Sequence, residues 1–71
     1  MEDTSLNARA AANLRGEIAR RNHTQEEFAD RARISRNTLG NILNGRTVID
    51  LDRLELFAGL LDIEPAKLLN D

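Results

Sequence analysis

The strongest constraint on what this 71-residue chain can fold into is the close spacing of two helix starts in its middle third. Thr24-Gln25-Glu26-Glu27 is a capping box: the Thr24 hydroxyl can accept the Glu27 amide while the Glu27 carboxylate reaches back to the Thr24 amide. The next good N-cap is Ser35, preceded by the apolar Ile34. The helix that Thr24 opens therefore carries Phe28, Ala29 and Ala32 inward and must end just short of Ser35. A further helix follows at once, from about Arg36 to Leu43, and Asn44-Gly45 stops it. Helical periodicity sets Leu39, Ile42 and Leu43 on one side of it and Arg36, Asn37, Gly40, Asn41 and Asn44 on the other.

The flanking segments also read as helices. An apolar stripe through Ala10, Leu14 and Ile18 predicts a first helix from about Leu6 to Arg21, ended by Asn22, which tolerates the left-handed conformation of a C-terminal cap. Asp50 starts a fourth helix with Leu51, Leu54, Phe57, Ala58 and Leu61 at helical spacing. Glu64-Pro65 starts a fifth, in which Leu68 and Leu69 close the core. Strand signals are missing, since Val occurs once, aromatic residues make up 3% and no run alternates apolar and polar residues for long. The expectation is an all-α, five-helix fold, with residues 1–71 as a single domain free of repeats and interdomain linkers.

Composition narrows the function. With 41% hydrophobic and 31% charged residues the chain has the balance of a folded globular protein. It has no Cys and one His, which removes disulfides, thiol catalysis and any histidine metal cluster. His23 precedes the Thr24 cap, where a hydrophobic staple would reach Phe28, so its reading is structural. The acidic pairs Glu26-Glu27 and Asp50/Asp52 sit at helix starts and serve the helix dipole. No Gly-rich phosphate loop is present. An enzyme is not expected, nor is a cofactor, a metal or a small-molecule substrate. No apolar run approaches the roughly 18 residues of a membrane span, and a cytoplasmic location is expected.

The net charge of −2 conceals an uneven distribution. Between residues 9 and 46 eight Arg face only Glu17, Glu26, Glu27 and Asp30, leaving that segment net positive by four, whereas residues 1–8 and 47–71 are acidic. One face could thus meet phosphates while the rest keeps the protein in solution, although simple solvation of arginine-rich helices explains the charge equally well.

Two short helices joined by a tight turn, the second with a polar outer face, have the geometry of a helix-turn-helix. The residues Gln25-Glu26-Glu27-Phe28-Ala29, Ile34-Ser35-Arg36-Asn37-Thr38-Leu39 and Ile42-Leu43-Asn44-Gly45-Arg46 carry a resemblance to the Cro/phage-repressor helix-turn-helix family. The fourth and fifth helices resemble the pair that completes the five-helix domain of the lambda and 434 repressors, so the resemblance spans about residues 13–70. It implies that the chain binds double-stranded DNA. It further implies that Ser35, Arg36, Asn37, Gly40 and Asn41 face base edges and that Gln25 and Asn44 contact phosphates. The side chains at these positions suit base reading, since Arg can donate twice to guanine and Asn can both donate to and accept from adenine. Arg46 and Thr47, in the loop after the recognition helix, are further phosphate candidates, with a surface pair to Asp50 as the alternative for Arg46. Gly40 is either a packing residue or a point of close backbone approach to the groove.

The chain departs from the family pattern at several positions. Arg33 stands in the turn where the family has a left-handed Gly, so either the turn differs or its cost is tolerated. Asp62 stands where Gly often ends the fourth helix. Leu43 occupies a site where many relatives carry Glu paired with an Arg of the first helix, and Ile18 lies near the partner position, which suggests an apolar contact instead. Residues Met1 to Ser5 include no basic residue, so no DNA-wrapping arm is expected.

The function implied is a sequence-specific transcription regulator, phage or bacterial, bound as a homodimer to a palindromic operator. The dimer surface is expected in the fourth and fifth helices and their connections. An antitoxin or other protein-binding module of the same fold is an open alternative, as is the N-terminal domain of a longer repressor. The polar face at Arg36, Asn37, Asn41 and Asn44 favours DNA.

Overall fold

The computed structural model describes residues 5–70. Residues 1–4, on which most of the reading about an N-terminal arm falls, lie outside the described residues, as does residue 71. Helix α1 is Leu6–Arg20, α2 Gln25–Ala32, α3 Arg36–Leu43 and α4 Leu51–Leu61, followed by a 3-10 helix at Pro65–Leu68. No strand occurs among the described residues.

Every α-helix opens on a side-chain cap. The Ser5 hydroxyl accepts the Ala8 amide at 3.1 Å, that of Thr24 the Glu27 amide at 3.0 Å and that of Ser35 the Thr38 amide at 2.9 Å. For α4 the Asp50 carboxylate accepts the Arg53 amide at 2.8 Å. At Thr24 the return bond to Glu27 is also made, at 2.9 Å, so the capping box is complete. Each such cap stabilises its helix by about 1 kcal/mol.

The helix ends are equally uniform. Asn22, Arg33, Gly45 and Asp62 have φ of +60°, +60°, +76° and +58°, and each follows an α-helix. The next amide in each case turns back to a helix carbonyl: His23 to Ile18 at 3.3 Å, Ile34 to Ala29 at 3.0 Å, Arg46 to Asn41 at 2.9 Å and Ile63 to Ala58 at 3.0 Å. This is the Schellman closure, which satisfies orphan carbonyls and reverses the chain within a few residues. Ile34 and Ile63, brought inward by it, pack against the core.

That core joins Leu14 and Ile18 of α1 to Phe28, Ala29 and Ala32 of α2, to Leu39, Ile42 and Leu43 of α3, and to α4 through Leu54, Phe57, Ala58 and Leu61. The rings of Phe28 and Phe57 lie 5.6 Å apart, tilted by 52°, at its centre. Full burial of side chains of this size contributes about 1.5–3 kcal/mol each, which is what holds helices as short as α2 and α3 in place. Leu43 and Ile18 both belong to the core, so buried apolar side chains stand at both of these positions.

The fifth helix expected to start at Glu64-Pro65 is one turn of 3-10 helix, Pro65–Leu68. Its amide bonds span three residues, from Lys67 to Glu64 at 2.9 Å and from Leu69 to Ala66 at 3.0 Å. The following carbonyls are taken by side chains of α1: Asn13 Nδ2 donates to Leu68 at 2.8 Å and to Asn70 at 2.6 Å, and Arg9 donates to Leu69 at 3.5 Å. Leu68 is buried and the carbonyls that follow are engaged by α1 rather than by a further helical turn. The all-α class stands, with four α-helices rather than five among the described residues.

Candidate nucleic-acid interface

The α2–α3 turn determines how α3 is presented. Arg33 adopts the left-handed conformation that glycine favours, so the turn geometry is retained and its cost tolerated. Ser35 then caps α3, its hydroxyl donating to Thr38 Oγ1 at 2.8 Å as well as accepting the Thr38 amide. With Leu39, Ile42 and Leu43 buried, Arg36, Asn37 and Asn44 are exposed and Gly40 and Asn41 half-exposed on the opposite side.

The outer side is chemically unspent. The side chains of Arg36, Asn37, Asn41, Asn44 and Arg46 make no hydrogen bond or ion pair among the described residues, and neither does that of Gln25, the first residue of α2. Asp50, the alternative partner of Arg46, is engaged instead in capping α4. At Gly40 an added Cβ would meet no atom within 4 Å, so packing inside the protein gives no reason for a glycine there.

The loop after α3 is held from α1. Asn7 accepts the Ile49 amide at 2.8 Å and donates to the Thr47 carbonyl at 3.4 Å, which fixes the segment carrying Arg46 and Thr47 beside the end of α3. Arg15, also on α1, donates to the carbonyl of Leu43 at 2.7 Å. Sequence reasoning gave Asn7, Asn13 and Arg15 no role. They sit at polar positions of an amphipathic helix, and only the approach of distant backbone makes them organising residues.

One carboxylate gathers the two arginines at the end of α1. Glu17, buried, pairs with Arg20 at 3.0 Å and with Arg21 through Oε1. The Arg21 hydrogen bond is the main reason its carboxyl is held below its ordinary value. Glu27 is likewise lowered, chiefly by the Thr24 amide in the capping box. Arg31, Arg33, Arg36 and Arg46 make no ion pair among the described residues, so the helix-turn-helix side keeps its positive charge.

The described residues contain no group of three His, Cys, Asp or Glu able to hold a metal, and no helix long and apolar enough to cross a membrane. The arrangement can offer donors and acceptors to base edges from α3, with neutral or cationic groups for phosphates on either side of it.

A helix-turn-helix family profile matches residues 14–68. No curated protein matches the chain by sequence. Among solved structures, the clp gene regulator ClgR from Corynebacterium glutamicum superposes with a TM-score of 0.87 at 25% identity, covering 94% of this chain and 87% of its own. The hypothetical transcription factor NHTF from Neisseria gives 0.88 at 26% identity, over 99% of this chain and 80% of its own. The restriction-modification controller protein C.AhdI from Aeromonas hydrophila gives 0.79 at 27% identity, over 89% and 94%. With its fold, its turn geometry and the family match in agreement, the chain belongs to the Cro/C1-type helix-turn-helix family of DNA-binding transcription regulators.

Proposed function

We propose that this protein recognises a palindromic operator as a homodimer, in the manner of a phage or bacterial Cro- or repressor-type regulator, with α3 of each copy in the major groove. The observation that carries the reading is the outer side of α3, where Arg36, Asn37 and Asn41 stand without internal partners around a bare Gly40. Arg36 is assigned to guanine O6 and N7, and Asn37 and Asn41 to adenine, each good pair discriminating by about 1–3 kcal/mol. Ser35 caps α3 and retains one acceptor lone pair for a base edge. Gln25, Asn44, Arg46 and Thr47 are assigned to phosphates, where they fix register rather than read sequence.

A single recognition helix covers only a few base pairs, so affinity calls for two copies on half-sites about one helical turn apart. A homodimer is supported by the exposed apolar residues Leu51 (81%), Val48 (73%) and Leu6 (59%), which border a groove of about 230 Å³ floored by Ala10, Leu54 and Leu69. This patch includes the start of α4 and the connection before it. A protein-binding module would present apolar or acidic side chains along α3, and the outer side of α3 carries neither.

Selection from a random pool of DNA duplexes tests this reading. The wild-type protein is expected to enrich a palindrome, and Arg36→Ala to lose preference at one position of each half-site by a factor of about 10 to 100. Absence of any enriched sequence would remove the reading; enrichment that Arg36→Ala leaves unchanged would remove Arg36 from it.

A further inference from the structure

A groove of about 350 Å³ runs between the start of α1 and the end of α3, lined by Arg15, Leu43, Asn44 and Gly45 together with Ser5 and Asn7. Arg15 contributes the one formal charge among its lining residues. Its Nη1 donates to the carbonyl of Leu43, the last residue of α3, at 2.7 Å. The last turn of α3 has no basic residue of its own, so Arg15 supplies from α1 the cation that a helix C-terminus favours. The guanidinium is thereby fixed to the recognition helix although its backbone belongs to another element.

Its other N–H donors make no bond among the described residues, and no carboxylate pairs with it, in contrast to Arg20 and Arg21, which share Glu17. Asn44, a proposed phosphate contact, lines the same groove. A guanidinium is a planar fork able to hold a carbonyl oxygen with one arm and a phosphate oxygen with another. We infer that Arg15 is a further DNA-backbone contact, binding a phosphodiester oxygen next to the one held by Asn44 while it ties α1 to the end of α3. This rests on the proposed reading of α3 as the element that enters the groove.

The test uses the full chain and a random-sequence duplex, with affinity measured across a range of salt concentrations. Each phosphate contact adds about 0.9 to the slope of log affinity against log salt, so Arg15→Gln is expected to flatten that slope by about one contact, additively with Arg46→Ala. A folded Arg15→Gln protein with an unchanged slope overturns the inference, and if Arg46→Ala still flattens it, the reading of α3 survives alone. Binding of no duplex at all by the wild type removes both. Should Arg15→Gln fail to fold, the wild type carries the test through the Arg15 Nε–H resonance. It is expected to shift on adding duplex and not on adding inorganic phosphate at equal phosphate concentration; no shift with duplex, or an equal shift with inorganic phosphate, overturns the assignment.

Discussion

At the scale of single residues, Gly40 and Arg33 are both placed where local energetics disfavour them, for different reasons. Gly40 lies inside α3, where glycine costs about 0.5–1 kcal/mol relative to alanine, and no internal neighbour needs the space. In the proposed reading, the requirement is close approach of the α3 backbone to DNA. Gly40→Ala is expected to raise the unfolding free energy by about 0.5–1 kcal/mol in urea denaturation while weakening DNA binding, because the added methyl stands between the α3 backbone and the groove. Stabilisation with full affinity would leave no role for close approach. Arg36, Asn37, Asn41 and Asn44 were legible in the sequence as polar residues opposite an apolar stripe, since helical periodicity alone assigns the side. The dual engagement of Ser35 with Thr38 and the path of Arg15 to Leu43 were not legible, because both depend on side-chain rotamers and on where a second element comes to rest.

At the scale of elements, the four α-helices share one design: a Ser, Thr or Asp cap at the start and a left-handed residue just past the end. Only one of those left-handed positions is glycine. Arg33 has the least suitable side chain of the others, since Asn and Asp visit that region more readily. Relief of about 1–2 kcal/mol of left-handed strain outweighs the extra chain entropy of glycine, so Arg33→Gly is expected to stabilise the fold by about 0.5–1 kcal/mol. In a domain of this size that raises Tm by a few degrees, which calorimetry resolves; an unchanged or lower Tm would show the turn to be unstrained. The starts and stops were readable because capping is a local side-chain-to-backbone exchange. The last helix was not, because its length is decided by Asn13 and Arg9 drawing the final carbonyls onto α1, across more than fifty residues of chain.

At the scale of the whole molecule, charge and apolarity are segregated. The unpaired arginines flank α3, whereas the three most exposed large apolar residues among those described, Leu51, Val48 and Leu6, gather where α1, the loop before α4 and the C-terminal turn meet. In the proposed dimer Leu51 lies at the contact. Leu51→Glu is therefore expected to convert a dimer into a monomer in sedimentation equilibrium and to lower operator affinity at least tenfold, with the fold kept because an acidic residue suits the first turn of α4. A wild-type protein that is monomeric both free and on DNA would exclude this arrangement. Propensity, capping and periodicity act over a few residues, so the all-α class, the limits of the four α-helices and the outward side of α3 were legible along the chain. That the fifth element is a single 3-10 turn and that α1 fastens the end of α3 emerged with the packed fold, because each is an encounter between groups far apart in the chain.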